Sequence, residues 1–324
     1  GRTLLQQTYD RYSKLIDSNR IYVVTNVAYR SLVAEQLPDI PAGHILAEPA
    51  RRNTAPCMGW ATYHIHSIDA EANVIFTPSD HLILKEAEFL EAIGSGLDYV
   101  HKYDRLLCVG IRPLRPETRY GYIQVGDCEE KNFFPVKTFT EKPDKELAKI
   151  YINTGEFFWN SGIFLCKADV IRQEMEEHLP EVTRFFTGWE SAIGTKLERE
   201  FILKAYTDSL NVSLDYGLLE KTERAWIYPT SFGWQDVGTW ESLYNFIPGK
   251  DKSGNAIVAD KTLLEATSNT LVISKEKKKL IAIKGLEDFL VIDTDDVLVI
   301  CPKDDRKFKD FISGIAMPDY EKYR

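Results

Sequence analysis

The sequence predicts an α/β protein built on a mixed, mostly parallel sheet, followed by a small all-β module. Its 324 residues exceed what one ordinary core needs. Strand-like apolar runs alternate with helix-length segments through the first two-thirds, as in a parallel sheet covered on both faces. After Pro248 that alternation gives way to short apolar runs separated by polar turns.

Taken in order, Leu4, Leu5, Thr8, Tyr9, Tyr12, Leu15 and Ile16 fall at helical spacing, and Ile21–Thr25 then reads as a buried strand. A helix starts at Asn53 or Thr54, both good N-caps, and runs to about Ile68. It precedes the strand Asn73–Thr77, a helix over Glu86–His101 and the strand Leu106–Gly110. The polar stretch Pro248–Gly254 joins this part, residues 1–248, to the β-rich module, residues 255–324. There the apolar runs are Ala256–Ala259, Thr270–Ser274, Leu280–Ile283, Phe289–Ile292 and Val297–Cys301, with a terminal helix over Lys303–Ile312. With no strict internal repeat, the module reads as a short β-helix or a sandwich.

Composition narrows the function. Hydrophobic residues make up 44% and charged residues 27%, an ordinary globular balance. A net charge of −9 argues against a nucleic-acid surface, and no apolar run approaches the ~20 residues that span a bilayer. The dispersed Cys57, Cys108, Cys128, Cys166 and Cys301 form no metal-ligand spacing and read as small core hydrophobes in a cytoplasmic protein.

Ligands of such sheets lie beyond the carboxyl ends of the strands, so polar segments there are the candidate site. The first is Glu48-Pro49-Ala50-Arg51-Arg52-Asn53-Thr54-Ala55-Pro56, where two arginines flank a helix N-terminus suited to a phosphorylated ligand. The second, Thr77-Pro78-Ser79-Asp80-His81, places a carboxylate in a tight turn, as a Mg²⁺ ligand or as an Asx-turn residue. In the third, Gly233-Trp234-Gln235-Asp236-Val237-Gly238, a carboxylate between apolar neighbours needs a cation or several donors. Tyr120-Gly121-Tyr122-Ile123, Thr140-Glu141-Lys142-Pro143 and Trp159-Asn160-Ser161-Gly162 suit a sugar phosphate. They offer a glycine for close approach, an acid for hydroxyls, an ammonium for phosphate and an amide.

In this order EPARRNTAP, PSDH, GIRPLRPETRYGYI, FTEKPD, WNSGIF, SLDYGLLEK and GWQDVGTW closely resemble bacterial-type mannose-1-phosphate guanylyltransferases. The resemblance implies a Rossmann-like sheet of the nucleotide-diphospho-sugar transferase type with a left-handed β-helix-like C-terminal module. It implies transfer of GMP from GTP to mannose 1-phosphate, with Mg²⁺ held by Asp80 and Asp236 and the sugar phosphate paired with Lys142. Glu48, Arg51, Arg52, Asn53, Thr54 and Ser79 fall to the nucleotide, and Gly121, Tyr122, Glu141, Asn160 and Asp215 to the sugar. A homodimer is expected, as relatives use the β-rich tail between subunits.

The sequence departs from that family at two places. It has no GGxGTR-like stretch, so the first strand and the main triphosphate grip are expected to be missing. Arg119 stands where relatives often have Gly, pointing either to the sugar site or to solvent. A monofunctional chain is expected, without an isomerase domain. The alternatives are another sugar-1-phosphate nucleotidyltransferase, or a non-catalytic relative that binds sugar nucleotides.

Overall fold

The computed structural model describes residues 2–127, 132–276, 278–303 and 311. The chain divides into two compact units, residues 1–234 and 235–324. The first opens with α1 (Leu4–Tyr12), started by a capping box between Thr3 and Gln6. β1 (Val23–Asn26), α2 (Arg30–Gln36) and β2 (Ile45–Glu48) follow, and the two strands pair in parallel as a sheet of their own.

α3 (Thr54–Ile68) is capped by Asn53 and leads through β3 (Asn73–Phe76) and β4 (His81–Ile83) to α4 (Glu86–Lys102). α4 buries Phe89, Ala92, Ile93, Gly96, Tyr99 and Val100, the spacing of a single helix face. β5 (Leu106–Ile111) is buried along its whole length, as a strand covered on both faces must be. Then come β6 (Tyr122–Val125), β7 (Phe134–Thr140), α5 (Lys145–Thr154) and β8 (Phe157–Lys167). Asp144 caps the start of α5, and Gly155 at φ 74° ends it. α6 (Ala168–His178), α7 (Pro180–Thr183), α8 (Trp189–Ala192), α9 (Glu198–Asp208) and β9 (Ala225–Thr230) complete the unit.

The main sheet has six strands in the order β3-β8-β5-β9-β7-β6, with β6 also meeting β8. It is mixed, as expected, but its parallel character lies in direction more than in adjacency. β3 and β5 run the same way because both pair antiparallel with β8, while β5 and β9 form its parallel ladder. Alternate residues of β5 feed two cores. Leu106 and Cys108 pack with Tyr63 of α3 and Ile171 of α6, and Leu107 and Val109 pack with Phe89 and Ile93 of α4. The result is a helix–sheet–helix sandwich.

The strand expected from Ile21 begins at Val23, and those expected to end at Thr77 and Gly110 end at Phe76 and Ile111. Cys108, Cys166 and Cys301 are buried free thiols and Cys57 is partly buried. Cys128 and nearly all of the expected helix Lys303–Ile312 lie outside the described residues. Among the described residues, no helix is long and apolar enough to cross a membrane.

β10 (Trp234–Asp236) spans the join between the units. The second unit continues with α10 (Trp240–Phe246), β11 (Ala256–Val258), β12 (Lys261–Glu265), β13 (Leu271–Ser274), β14 (Leu280–Lys284), β15 (Phe289–Asp293) and β16 (Leu298–Pro302). β11, β13 and β15 stack in parallel, β12 and β14 form a second parallel ladder, and β16 turns back antiparallel on β15. This is a β-helix-like coil and not a sandwich. Two of its ladders share one offset of 19 residues, Lys261 opposite Leu280 and Leu271 opposite Leu290. The sequence conceals that period because the step from Ala256 to Leu271 is 15 residues. β12, absent from the sequence reading, alternates exposed and half-buried residues and has no apolar run.

Leu107 is fully buried at the centre of the sheet, and Leu107→Ala is expected to cost about 2–5 kcal/mol. Urea unfolding checks this, with a lowered midpoint at unchanged slope as the expected result.

Candidate active site

In the first unit a cavity of about 420 Å³ is lined by Asn53, Glu141, Lys142, Asn211, Val212 and Ser213. Glu141 and Lys142 leave the carboxyl end of β7, and Asn53 caps the first turn of α3. Lys142 Nζ lies 2.8 Å from Glu141 Oε1, so the ammonium and the carboxylate offset each other in the ligand-free chain.

Behind this wall the other expected sugar-side residues converge. A Cβ on Gly121 would stand 2.6 Å from Glu141 Oε2 and 2.8 Å from the Phe139 ring, so a side chain there would displace the carboxylate. The Gly121 carbonyl accepts the Asn160 N–H at 2.8 Å. Asn160 Nδ2 donates to Asp215 Oδ1 at 2.7 Å, and Ser213 Oγ donates to Asp215 Oδ2 at 3.1 Å. Gly121, Glu141, Asn160 and Asp215, from four chain segments, therefore form one contiguous set.

A kink in β8 makes this possible. Its register with β5 shifts between Cys108 and Gly110, and Gly162 adopts φ 71°. Buried Ser161 anchors the kink by donating to the Val109 carbonyl at 2.6 Å, and Asn160 Oδ1 accepts the Gly162 N–H at 3.0 Å. A Cβ on Gly162 would lie 3.3 Å from Pro78 of the Pro78-Ser79-Asp80-His81 turn, which places that turn against the kink. His81 Nδ1 accepts the Trp234 indole N–H at 3.1 Å, a committed structural ring.

Asn53 carries φ 67° and ψ −168°, a backbone region used almost only by glycine and costing about 1–3 kcal/mol. Asparagine tolerates positive φ better than other residues, and its side chain accepts the Thr54 N–H at 2.9 Å. Lys142, also on the cavity, has φ 48°.

Other expected site residues are placed differently. Arg52 donates to the Tyr206 and Thr207 carbonyls at 2.9 and 3.0 Å, at the end of α9. Arg51 donates to the Tyr29 hydroxyl at 3.0 Å. Glu48 accepts from the Tyr206 hydroxyl at 2.8 Å, and its burial pushes the carboxyl above its usual range. Thr54 Oγ1 accepts the Leu214 N–H at 2.9 Å. Ser79 is exposed, and its carbonyl faces Thr8 Oγ1 at 3.4 Å.

Tyr122 is fully buried, its hydroxyl donating to the Glu117 carbonyl and accepting the Glu117 N–H at 2.9 and 3.1 Å. This commits its polar end to the 112–121 loop. Arg119 forks onto Glu117 at 2.9 and 3.0 Å with its side chain about one third exposed, and Arg115 lies at 3.1 Å on the same carboxylate. Burial pushes the Glu117 carboxyl up, but Arg119, Arg115 and backbone N–H groups outweigh it and hold it below the usual range. Glu117 and Ser213 lie in the motifs GIRPLRPETRYGYI and SLDYGLLEK, but no site role is legible for them in the sequence, nor for Asn211 and Val212. The signal available was their position in the same polar loops as Arg119 and Asp215.

Asp80 is exposed on the turn after β3, and Asp236 is the second residue of the second unit, its Oδ1 accepting the Gly238 N–H at 2.7 Å. Carboxylate oxygens of this kind are the donors a hard divalent cation takes. Among the described residues, three or more possible ligands lie close together only at Glu174, Glu177 and His178, where Glu174 is already paired with Arg224 at 3.1 Å.

Comparison with known proteins gives the site its context. A nucleotidyl transferase family model matches residues 1–252, and a MannoseP isomerase/GMP-like β-helix domain model matches residues 262–309. Mannose-1-phosphate guanylyltransferase 2 of Escherichia coli O157:H7 is 33% identical over 94% of this chain and 64% of its own length. A putative mannose-1-phosphate guanylyltransferase of Vibrio cholerae serotype O1 is 31% identical over 99% of this chain and 69% of its own. Xanthan biosynthesis protein XanB of Xanthomonas campestris pv. campestris is 34% identical over 97% and 66%. The chain thus spans about two thirds of the length of these relatives, 64% of the first. A crystal structure from Thermus thermophilus, described as a mannose-1-phosphate geranyltransferase, superposes with a TM-score of 0.84 at 26% identity. That superposition covers 98% of this chain and 90% of that one.

Two outcomes follow from the geometry. Asn53→Ala, which loses the cap and keeps the strained backbone, is expected to destabilise by about 1–2 kcal/mol. Asn53→Gly should stay within about 1 kcal/mol of wild type, because glycine adopts that backbone freely at an entropic cost to folding. Chemical denaturation separates the two. Because the Glu117 carboxyl is depressed in the folded chain, its contribution is present above the unfolded value and lost as pH falls through the folded one. Hydrogen exchange in residues 112–121 should accelerate as pH is lowered from about 4, after correction for intrinsic rates.

Proposed function

The chain belongs to the nucleotidyl transferase family, and from that premise we propose that it transfers GMP from GTP to mannose 1-phosphate, giving GDP-mannose and pyrophosphate. The observation that carries this reading is the cavity in which Glu141 and Lys142 stand beside Asn53 and the Ser213–Asp215–Asn160 network. An acid, an ammonium and an amide-bearing network around one space suit a hexose phosphate.

In this mechanism a phosphate oxygen of mannose 1-phosphate attacks the α-phosphorus of GTP, and the bond to the β-phosphate breaks as pyrophosphate leaves. The attacking oxygen is already anionic at neutral pH, so no side chain need remove a proton. Positioning and charge stabilisation supply the rate. Substrate entry separates the Glu141–Lys142 pair: sugar hydroxyls donate to Glu141, and the Lys142 ammonium turns to the phosphate. Asn160 and Asp215 hold each other in place and present their remaining polar edges to the sugar, while Gly121 leaves room for the Glu141 carboxylate that receives it. In this reading the loop Glu48–Thr54 serves the nucleotide, with Asn53 on the cavity and Arg51 held on Tyr29, and Ser79 stands beside Asp80.

A divalent cation serves this family, and here Asp80 and Asp236 would hold Mg²⁺. When bound it offsets charge on the phosphates and the leaving group. The reading carries with it a cytoplasmic homodimer, consistent with reduced, dispersed cysteines and with the β-rich second unit.

Pyrophosphate release is measured across GTP, ATP, CTP and UTP, with mannose 1-phosphate and glucose 1-phosphate as acceptors. GTP with mannose 1-phosphate should exceed every other pair by at least about tenfold. Equal turnover across the pairs sinks the assignment. Lys142→Ala should lower kcat/KM by about a hundredfold, and Asp236→Ala should abolish turnover while leaving much of the nucleotide affinity. EDTA should stop the reaction and added Mg²⁺ restore it.

A further inference from the structure

We propose that Arg52 is a positioning residue: it fastens the nucleotide-facing loop to the carboxyl end of α9 and thereby holds Asn53 in its strained conformation. The proposal rests on the guanylyltransferase reading for the identity of the ligand, and on geometry for the clamp itself.

The guanidinium is not on the cavity lining and ends on the last turn of α9. Its Nε and Nη2 donate to the Tyr206 and Thr207 carbonyls at 2.9 and 3.0 Å. A helix leaves its final carbonyls without intrahelical donors and carries partial negative charge there. The planar fork of arginine meets two such carbonyls at once, which the single ammonium of lysine does less well.

The same helix residue is used twice. The Tyr206 hydroxyl donates to Glu48 at the end of β2, at 2.8 Å, so the loop leaves Tyr206 at Glu48 and returns to it at Arg52. On the far side of Asn53, Thr54 Oγ1 accepts the Leu214 N–H at 2.9 Å, and the Ala55 N–H donates to the Val212 carbonyl at 3.0 Å. Asn53 therefore lies between two anchors, each tied to a different part of the chain. A backbone at φ 67° and ψ −168° persists only where its surroundings over-determine it, and these anchors do so. No residue of α9 lines the cavity, yet α9 sets the position of one that does.

Arg52→Lys and Tyr206→Phe test this, with three readouts: hydrogen exchange over residues 49–57, calorimetric affinity for GTP and for mannose 1-phosphate, and thermal midpoint. With Arg52→Lys, exchange in 49–57 should rise at least about fivefold and GTP affinity fall about tenfold. Mannose 1-phosphate affinity should stay within about twofold and the midpoint within about 3 °C. Tyr206→Phe should move the same readouts in the same direction by less. Unchanged exchange overturns the clamp. Faster exchange with unaltered GTP affinity, or an equal loss for both ligands, reduces Arg52 to a structural role and overturns its assignment. If the wild type binds ATP or UTP as well as GTP, the guanine reading fails while exchange and the preferred nucleotide still decide the clamp. A wild type that binds no nucleotide overturns both.

Discussion

The register of β8 around Asn160–Gly162 is the constraint on which the rest of the first unit depends. This one strand pairs with β3, β5 and β6, so its position sets that of most of the main sheet. A sheet strand alternates its side chains between faces, and a slip of one residue would exchange them. At the kink the alternation is interrupted: Ser161 is committed to the Val109 carbonyl, Gly162 takes a positive φ, and Asn160 is aimed at Asp215. The same few residues thus close the sheet and turn a polar side chain toward the cavity side. Fold and site are specified together there, and neither can be altered alone.

Around that kink the polar loops are built more from mutual hydrogen bonds than from helix or sheet. Asp215 is held by Asn160 and Ser213, Glu117 by two arginines and Tyr122, and Thr54 by Leu214. Such networks fix the loops behind the cavity by hydrogen bonds already made in the ligand-free chain, which lowers the ordering cost of binding. The strained backbones of Asn53 and Lys142 belong to the same rigid placement. Both residues line the cavity, and both adopt positive φ without being glycine.

Much of this is legible in the residues. α3 can be read almost to its bounds, because Asn53 and Thr54 are strong capping residues ahead of a long helical stretch. The buried strand β5 is legible from its unbroken apolar run, and the segments around Gly121, Glu141, Asn160 and Asp215 do come together. What is not legible depends on partners distant in sequence. Arg52 looks like a phosphate ligand beside a helix N-terminus, and only the fold brings the end of α9 within its reach. Tyr122 looks like a ligand contact beside a glycine, and only the loop closed on Glu117 claims its hydroxyl. The antiparallel course of β8 is hidden for the same reason, since strand direction follows from topology and leaves no mark on a local apolar pattern.

The reversal of β16 has a consequence for assembly. A coil of parallel rungs ends in an open edge, which can accept another rung of the same direction from a neighbouring molecule and so seed a filament. In the second unit β11, β13 and β15 all run in one direction, but β16 runs the other way and carries Pro302, which has no N–H to offer. A rung added beyond β16 in the direction of the others could pair with it only as an antiparallel neighbour, which breaks the parallel repeat. Among the described residues, one reversed strand therefore ends the parallel ladder of this sheet and disfavours its continuation in the same direction onto a second copy through that edge.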